Sequence, residues 1–208
     1  LAMENLLLDI IYKSQLPDNN VRSQAERGFF AAISENPSAV ASALINISLN
    51  QQSDLIVKQS ALVYLKRVVA LHWSIGFESF AGNPVTQETK VFIRSSLLRL
   101  VSETENTKLR NAASNIIVMI SVVDYPDEWP DLIKILYSLI DNSSSNVTQN
   151  SLLGGLNVLH DLFDELITEE QFFEGFVGAN TLKYCIELLA APSAPIIGSD
   201  NYSFVPLV

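Results

Sequence analysis

The sequence predicts an α-solenoid, an all-α array in which helix pairs stack on one another. Three observations carry the prediction. Apolar residues recur at helical spacing in one segment after another. Breaks rich in Pro, Asp, Asn and Ser separate the segments. The resulting two-helix unit returns about every 40 residues, and each pair keeps an apolar stripe that it can bury only against the next pair.

The first helix reads from Met3 to Ser14, with Leu7, Ile10 and Ile11 on one side, and Pro17-Asp18-Asn19-Asn20 ends it. A second helix, Val21 to Ser34, carries Val21, Ala25, Phe29, Ala32 and Ile33. Asn36-Pro37-Ser38 stops the chain and restarts it, because proline is favoured in a first helical turn. Helix three follows to Leu49 with Val40, Ala43, Leu44 and Ile47 inward; Ser53 or Asp54 can then cap helix four, which runs to His72 on Val57, Ala61, Leu65, Val68 and Val69. Residues 73–84 form a longer loop, which Trp73, Phe77 and Phe80 are expected to pin down.

Helix five spans Thr86 to Val101 with Val91, Ile93, Leu97, Leu98 and Val101 as its stripe. Helix six, capped by Asn106 or Thr107, spans Lys108 to Val123. Asp124 to Pro130 breaks the chain sharply, and helix seven is expected to start on Pro130, in its first turn, and to end at Ile140. Trp129 should be buried beside it. Helix eight spans Thr148 to Ile167 with Leu152, Leu156, Leu159, Phe163 and Leu166 inward; Gly154-Gly155 inside it signals a kink or a close helix approach. A ninth helix spans Glu170 to Ala190, and the pattern stops after Pro192. The expected pairs are therefore 3–36, 37–72, 86–124 and 129–168, then the first helix of another pair at 170–191 and a non-repeat tail at 193–208. Leu182, Cys185, Ile186 and Leu189 of helix nine would need cover from that tail or from another molecule.

Composition narrows the function. Of 208 residues, 48% are apolar, ample for a buried core. Thirteen basic against 23 acidic side chains give a net charge of −10, which argues against direct nucleic-acid binding and suits basic partners. The acidic run Asp161, Asp164, Glu165, Glu169, Glu170 and Glu174 reads equally as a solvated face or a partner site. The single cysteine, Cys185, lies in an apolar stripe and reads as core packing in a reducing compartment. No apolar run approaches a membrane span and no signal peptide is recognisable. His72 and His160 stand far apart without metal-ligand spacing, and no phosphate loop or nucleophile elbow occurs. The reading is a non-enzyme with no metal and no cofactor, built to bind macromolecules.

Three stretches point to a family. Val21-Arg22-Ser23-Gln24-Ala25-Glu26 before Asn36-Pro37, Lys58-Gln59-Ser60-Ala61 through Leu65-Lys66-Arg67 before Trp73, and Asp127-Glu128-Trp129-Pro130-Asp131-Leu132 occur in order and in register with the helix pairs. They resemble the importin-β, or karyopherin-β, family. Lys58 and Arg67 depart from its usual Arg and Asn, and the tail after Pro192 matches no repeat. Residues 73–80, 105–108 and 172–175 look like the fungal branch related to importin nine.

The resemblance implies an N-terminal array of HEAT repeats over residues 3–192. It also implies binding of the GTPase Ran in its GTP state, import of basic protein cargo released by RanGTP, contact with nucleoporins, and shuttling between cytoplasm and nucleus. The second helix of each pair would face Ran, so Arg22, Gln59, Lys66, Asn111, Asn115, Asp161 and Glu165 become the Ran-binding candidates; each also reads as ordinary solvated helix surface. A HEAT or armadillo scaffold outside transport would share the periodicity but not the Trp129-Pro130 signature and the second-repeat pattern, and an all-α enzyme would need a pocket with convergent polar groups.

Overall fold

The computed structural model describes residues 2–165 and 177–190, and every regular element among them is an α-helix. In chain order these are α1 (Ala2–Ser14), α2 (Asn19–Glu35), α3 (Pro37–Leu49), α4 (Leu55–His72), α5 (Gln87–Glu103), α6 (Thr107–Asp124), α7 (Leu132–Ile140), α8 (Gln149–Glu165) and α9 (Val177–Ala190). The chain divides into two compact units, Leu1–Leu98 and Arg99–Val208, with the boundary inside α5. The expected start of helix nine, Leu166 of helix eight and the tail after Pro192 lie outside the described residues.

In the first unit local chemistry sets the helix ends. Asp18 caps α2 by accepting from the amides of Asn20 at 2.8 Å and Val21 at 3.3 Å. Asn36 serves two helices at once. Its amide donates to Ala32 at the end of α2, while its side-chain oxygen accepts from Ala39 at the start of α3. Pro37 occupies the first turn of α3, where its missing N–H costs nothing. Helix α3 contains no charged residue and packs against α1, α2 and α4, burying Val40, Ala41, Ala43, Leu44, Ile45 and Ile47.

The loop after α4 is pinned, as its aromatics predict. Trp73 is fully buried, and the Lys90 ammonium sits 5.5 Å from its ring centroid. Phe77 and Phe80 are half-buried. Backbone bonds fold the loop onto the end of α4, from Ala81 to Leu71 and from Val85 to His72, both 2.7 Å. The His72 Nδ1 lies 2.7 Å from the Gly82 carbonyl, which can only accept, so that nitrogen carries the proton. Helix α5 then departs from its expected stripe. Val91 is 57% exposed, and Lys90 and Arg94 take buried positions beside Ile93, Leu97 and Leu98. Apolarity alone could not find this register, because the long stems of Lys90 and Arg94 pack as hydrocarbon.

In the second unit α8 packs against α6 and α7. Ser114 bonds to Asp161 at 3.2 Å and Asn157 to Asn111 at 3.2 Å, separations of 47 and 46 positions, so α6 and α8 run parallel. Gly154 and Gly155 mark a close approach. A Cβ on Gly154 would lie 2.7 Å from the Val101 carbonyl carbon and closer still to its oxygen. A Cβ on Gly155 would meet side chains, Ile140 Cγ2 at 2.8 Å and Leu139 Cβ at 3.0 Å.

One expectation about α7 fails. The helix starts at Leu132 with Asp131 as its N-cap residue, so Pro130 lies in the preceding turn and not in the first helical turn. The Glu128 and Trp129 amides both donate to the Asp124 carbonyl, which turns the chain tightly after α6 and delays the new helix. Trp129 is buried nonetheless, at 6% exposure. Trp129→Ala should destabilise the chain by about 3 kcal/mol, the low end for a buried aromatic because the indole keeps an edge in water. An unchanged urea midpoint would contradict this packing role.

Helix α9 splits its expected stripe. Thr181, Cys185 and Leu188 are buried, whereas Leu182, Ile186 and Leu189 are 53%, 61% and 52% exposed. The Tyr137 hydroxyl lies 2.9 Å from Thr181 Oγ1, and the Tyr137 and Tyr184 rings are 5.1 Å apart, so the buried edge of α9 meets α7. Burial pushes the Cys185 thiol above its ordinary pKa, as befits a packed, unreactive cysteine.

Candidate partner-binding surface

The sequence candidates fall on α2 and α4 in the first unit and on α6 and α8 in the second. In the first unit they are dispersed. Arg22 is exposed and bonds locally to Asn19. Lys66 is exposed on α4. Gln59 is half-buried, and its side-chain nitrogen is shut off from solvent without a hydrogen-bond partner among the described residues. No hydrogen bond or ion pair among the described residues joins these three.

The second unit is more ordered. Asn111 accepts from Asn157, and Asp161 accepts from Ser114 on one oxygen while its other lies 3.3 Å from His160 Nδ1. Asn115 and Glu165 are exposed on the same two helices. The structure therefore places Asn111 and Asp161 along the α6–α8 seam, where the Asn111–Asn157 and Ser114–Asp161 bonds join the helices. Its mixed donors and acceptors match a polar protein surface more readily than a single small ligand.

The strongest constellation of the first unit is one the sequence reading passed over. Arg67, a departure from the family pattern, reaches from α4 to α2 and binds Glu26 with two nitrogens, Nη1 to Oε2 at 3.2 Å and Nη2 to Oε1. Its guanidinium also stands 4.8 Å from the Phe30 centroid, 5.1 Å from Phe29 and 5.7 Å from Tyr64. The Arg67 hydrogen bond holds the Glu26 carboxyl below the usual carboxylate range. Phe29 is buried and belongs to the stripe; Phe30 and Val63 are not, at 40% and 61% exposure. An adjacent Phe-Phe pair, of which a helical stripe needs only one, was the available signal.

Among the described residues no three His, Cys, Asp or Glu side chains are placed to hold a metal ion, and no helix is long and apolar enough to cross a membrane. Consecutive helix pairs define the chain's class: an all-α repeat protein.

Comparison with known proteins gives the family. Residues 32–103 match the importin-beta N-terminal domain. Importin subunit beta-5 of Saccharomyces cerevisiae is 34% identical over 191 residues, which is 91% of this chain and 18% of that protein. Importin subunit beta-5 of Schizosaccharomyces pombe is 34% identical over 172 residues, 82% of this chain and 17% of that protein. Exportin-2 of Dictyostelium discoideum is 25% identical and covers 89% of this chain. The chain thus spans about a fifth of the length of these relatives. Among solved structures, yeast importin-beta (Kap95p) superposes with a TM-score of 0.71 at 21% identity, over 88% of this chain and 21% of that one. Kap95 in complex with Nup1 gives 0.63 at 18% identity, over 92% and 27%. Kap95p bound to RanGDP, whose switch loops it induces to adopt the GTP-bound conformation, gives 0.60 at 19% identity, over 91% and 26%. The chain belongs to the importin-β family, and its fold is that family's HEAT-repeat array.

Proposed function

We propose that this chain is the Ran-binding N-terminal region of a nuclear transport receptor that shuttles between cytoplasm and nucleus. The observation that carries the reading is the match of residues 32–103 to the importin-beta N-terminal domain, because it falls on α3, α4 and α5 and so includes Gln59 and Lys66. The second helices α2, α4, α6 and α8 would supply the Ran surface through Arg22, Gln59, Lys66, Asn111, Asn115, Asp161 and Glu165. Basic nuclear proteins are the cargo that a net charge of −10 suits. Nucleoporin contacts would belong to the whole receptor. RanGTP and import cargo would be linked, each weakening the other's binding to the receptor by the same factor.

Titration of this chain with Ran in each nucleotide state tests the reading. The GTP form should bind with a Kd on the order of micromolar, roughly 8 kcal/mol, and more tightly than the GDP form. Because Kap95p can hold RanGDP in the GTP-like switch conformation, discrimination should appear as a ratio of affinities and not as absence of GDP-form binding. Lys66→Glu should slow association and change its salt dependence, since exposed charges mainly steer encounter. Lys134→Glu, on α7, is the control and should do little. Equal affinity for both nucleotide states would leave a HEAT scaffold without a Ran role.

A further inference from the structure

The second unit contains a polar cleft that the surface above does not use. It has a volume of roughly 470 Å³ and is lined by Glu105, Thr107 and Arg110 from one side and by Thr148, Gln149 and Asn150 from the other. Two long helices begin at it, α6 at Thr107 and α8 at Gln149. Because α6 and α8 run parallel, both present their amino ends to the same opening. Cap side chains occupy only part of each first turn. Asn106 takes the Leu109 amide and Thr148 takes the Ser151 amide. The amides of Thr107, Lys108, Gln149 and Asn150, which no helix can satisfy internally, have no acceptor among the described residues.

Arg110 gives this opening a charge. It is only 6% exposed, yet no carboxylate lies within ion-pair distance of its guanidinium among the described residues. Nη2 donates to the Thr104 carbonyl at 3.0 Å, and Nε is buried with no hydrogen-bond partner among the described residues. A buried guanidinium with one neutral hydrogen bond is costly, and burial accordingly lowers its pKa. Two positive helix ends and an uncompensated buried cation call for the same complement, a compact anion with several acceptor oxygens.

We propose that this cleft is a binding site for a phosphate group, with Arg110 and the first-turn amides of α6 and α8 as its donors. Glu105 is the opposing feature. Its exposed carboxylate lines the cleft without pairing to Arg110, so it repels a bound anion and sets the affinity low. Removing the carboxylate should therefore strengthen binding while leaving the fold alone.

The experiment titrates the 208-residue chain with inorganic phosphate, at ionic strength held constant with sodium chloride, and follows amide resonances by NMR. Saturable shifts are expected at Thr107, Lys108, Gln149 and Asn150, with a Kd on the order of 1 mM. Glu105→Gln should tighten binding about threefold or more, and Gln149→Glu, which adds a carboxylate at the same mouth, should weaken it about tenfold. Arg110→Gln should abolish it; should that variant fail to fold, the two surface variants decide. O-phosphoserine forms the second arm. Equal affinity for both ligands identifies the phosphate group itself, and binding of phosphoserine alone assigns the cleft to phosphate monoesters. No saturable shift with either ligand at about 20 mM, an affinity unchanged in both surface variants, or equally tight binding of acetate would each overturn the proposal.

Discussion

Gly154→Ala should lower the stability of the second unit by about 3 kcal/mol or more, at or beyond the upper end for overpacking. The added methyl would meet the carbonyl of Val101, which is backbone of α5 and cannot rotate aside. Relief requires α8 to move away, and α8 packs against α6 and α7 through Leu152, Leu156, Val158, Leu159 and Leu162. Gly155→Ala is the internal comparison. Its methyl would press on Ile140 Cγ2 and Leu139 Cβ, which move only with α7, but it would meet no backbone atom closer than 3.4 Å, so the cost should be smaller, about 2 kcal/mol. Urea denaturation of both variants gives the two numbers. A Gly154→Ala protein as stable as the wild type, or less affected than Gly155→Ala, would disprove the close approach.

The other large effect is expected from Trp73→Ala, which should cost about 3–5 kcal/mol. Trp73 is fully buried at the point where α4 ends and the loop doubles back. Alanine leaves the backbone bonds from Ala81 and Val85 in place but empties the volume they enclose. The loop should then open to protease between residues 74 and 84, and Trp73→Phe should recover part of the loss. The two tryptophans lie one in each unit, so the emission that remains in the variant comes from Trp129 and reports the second unit separately. Wild-type stability together with wild-type resistance to proteolysis would remove Trp73 from the core.

Helix breaks were legible in this sequence because their chemistry is local. Asp18, Asn36, Asp54 and Asn106 all occupy N-cap positions; the sequence offers Asp54 and Asn106 as caps and marks Asn36 and Asp18 as parts of chain breaks. Gly154-Gly155 was legible as a kink or a close approach, although not which, nor its partner, since Val101 lies more than 50 positions away. What failed depended on contacts across tens of residues. Pro130 has every local qualification for a first turn, yet the bonds to the Asp124 carbonyl place the helix start two residues later. Val91 fits an apolar stripe until Lys90 and Arg94 take the buried side. Of the candidate surface, Asn111 and Asp161 gained bonded partners, whereas the Arg67–Glu26 pair spans 41 positions and the Arg110 cleft joins segments about as far apart. Neither leaves a periodic trace in the chain.

Asn36 looks like the natural seam of the first unit, since one residue closes α2 and opens α3. The packing of α3 says otherwise. This uncharged helix touches α1, α2 and α4 together, and α1 also reaches α4. A chimera cut at Asn36 would part α3 from two of its three neighbours, α1 and α2. The first two pairs therefore pack as one block. The smallest block that can be transplanted between relatives runs from α1 through α4 and includes the returning loop to Thr86, whose amide bonds Ser38 at 2.9 Å.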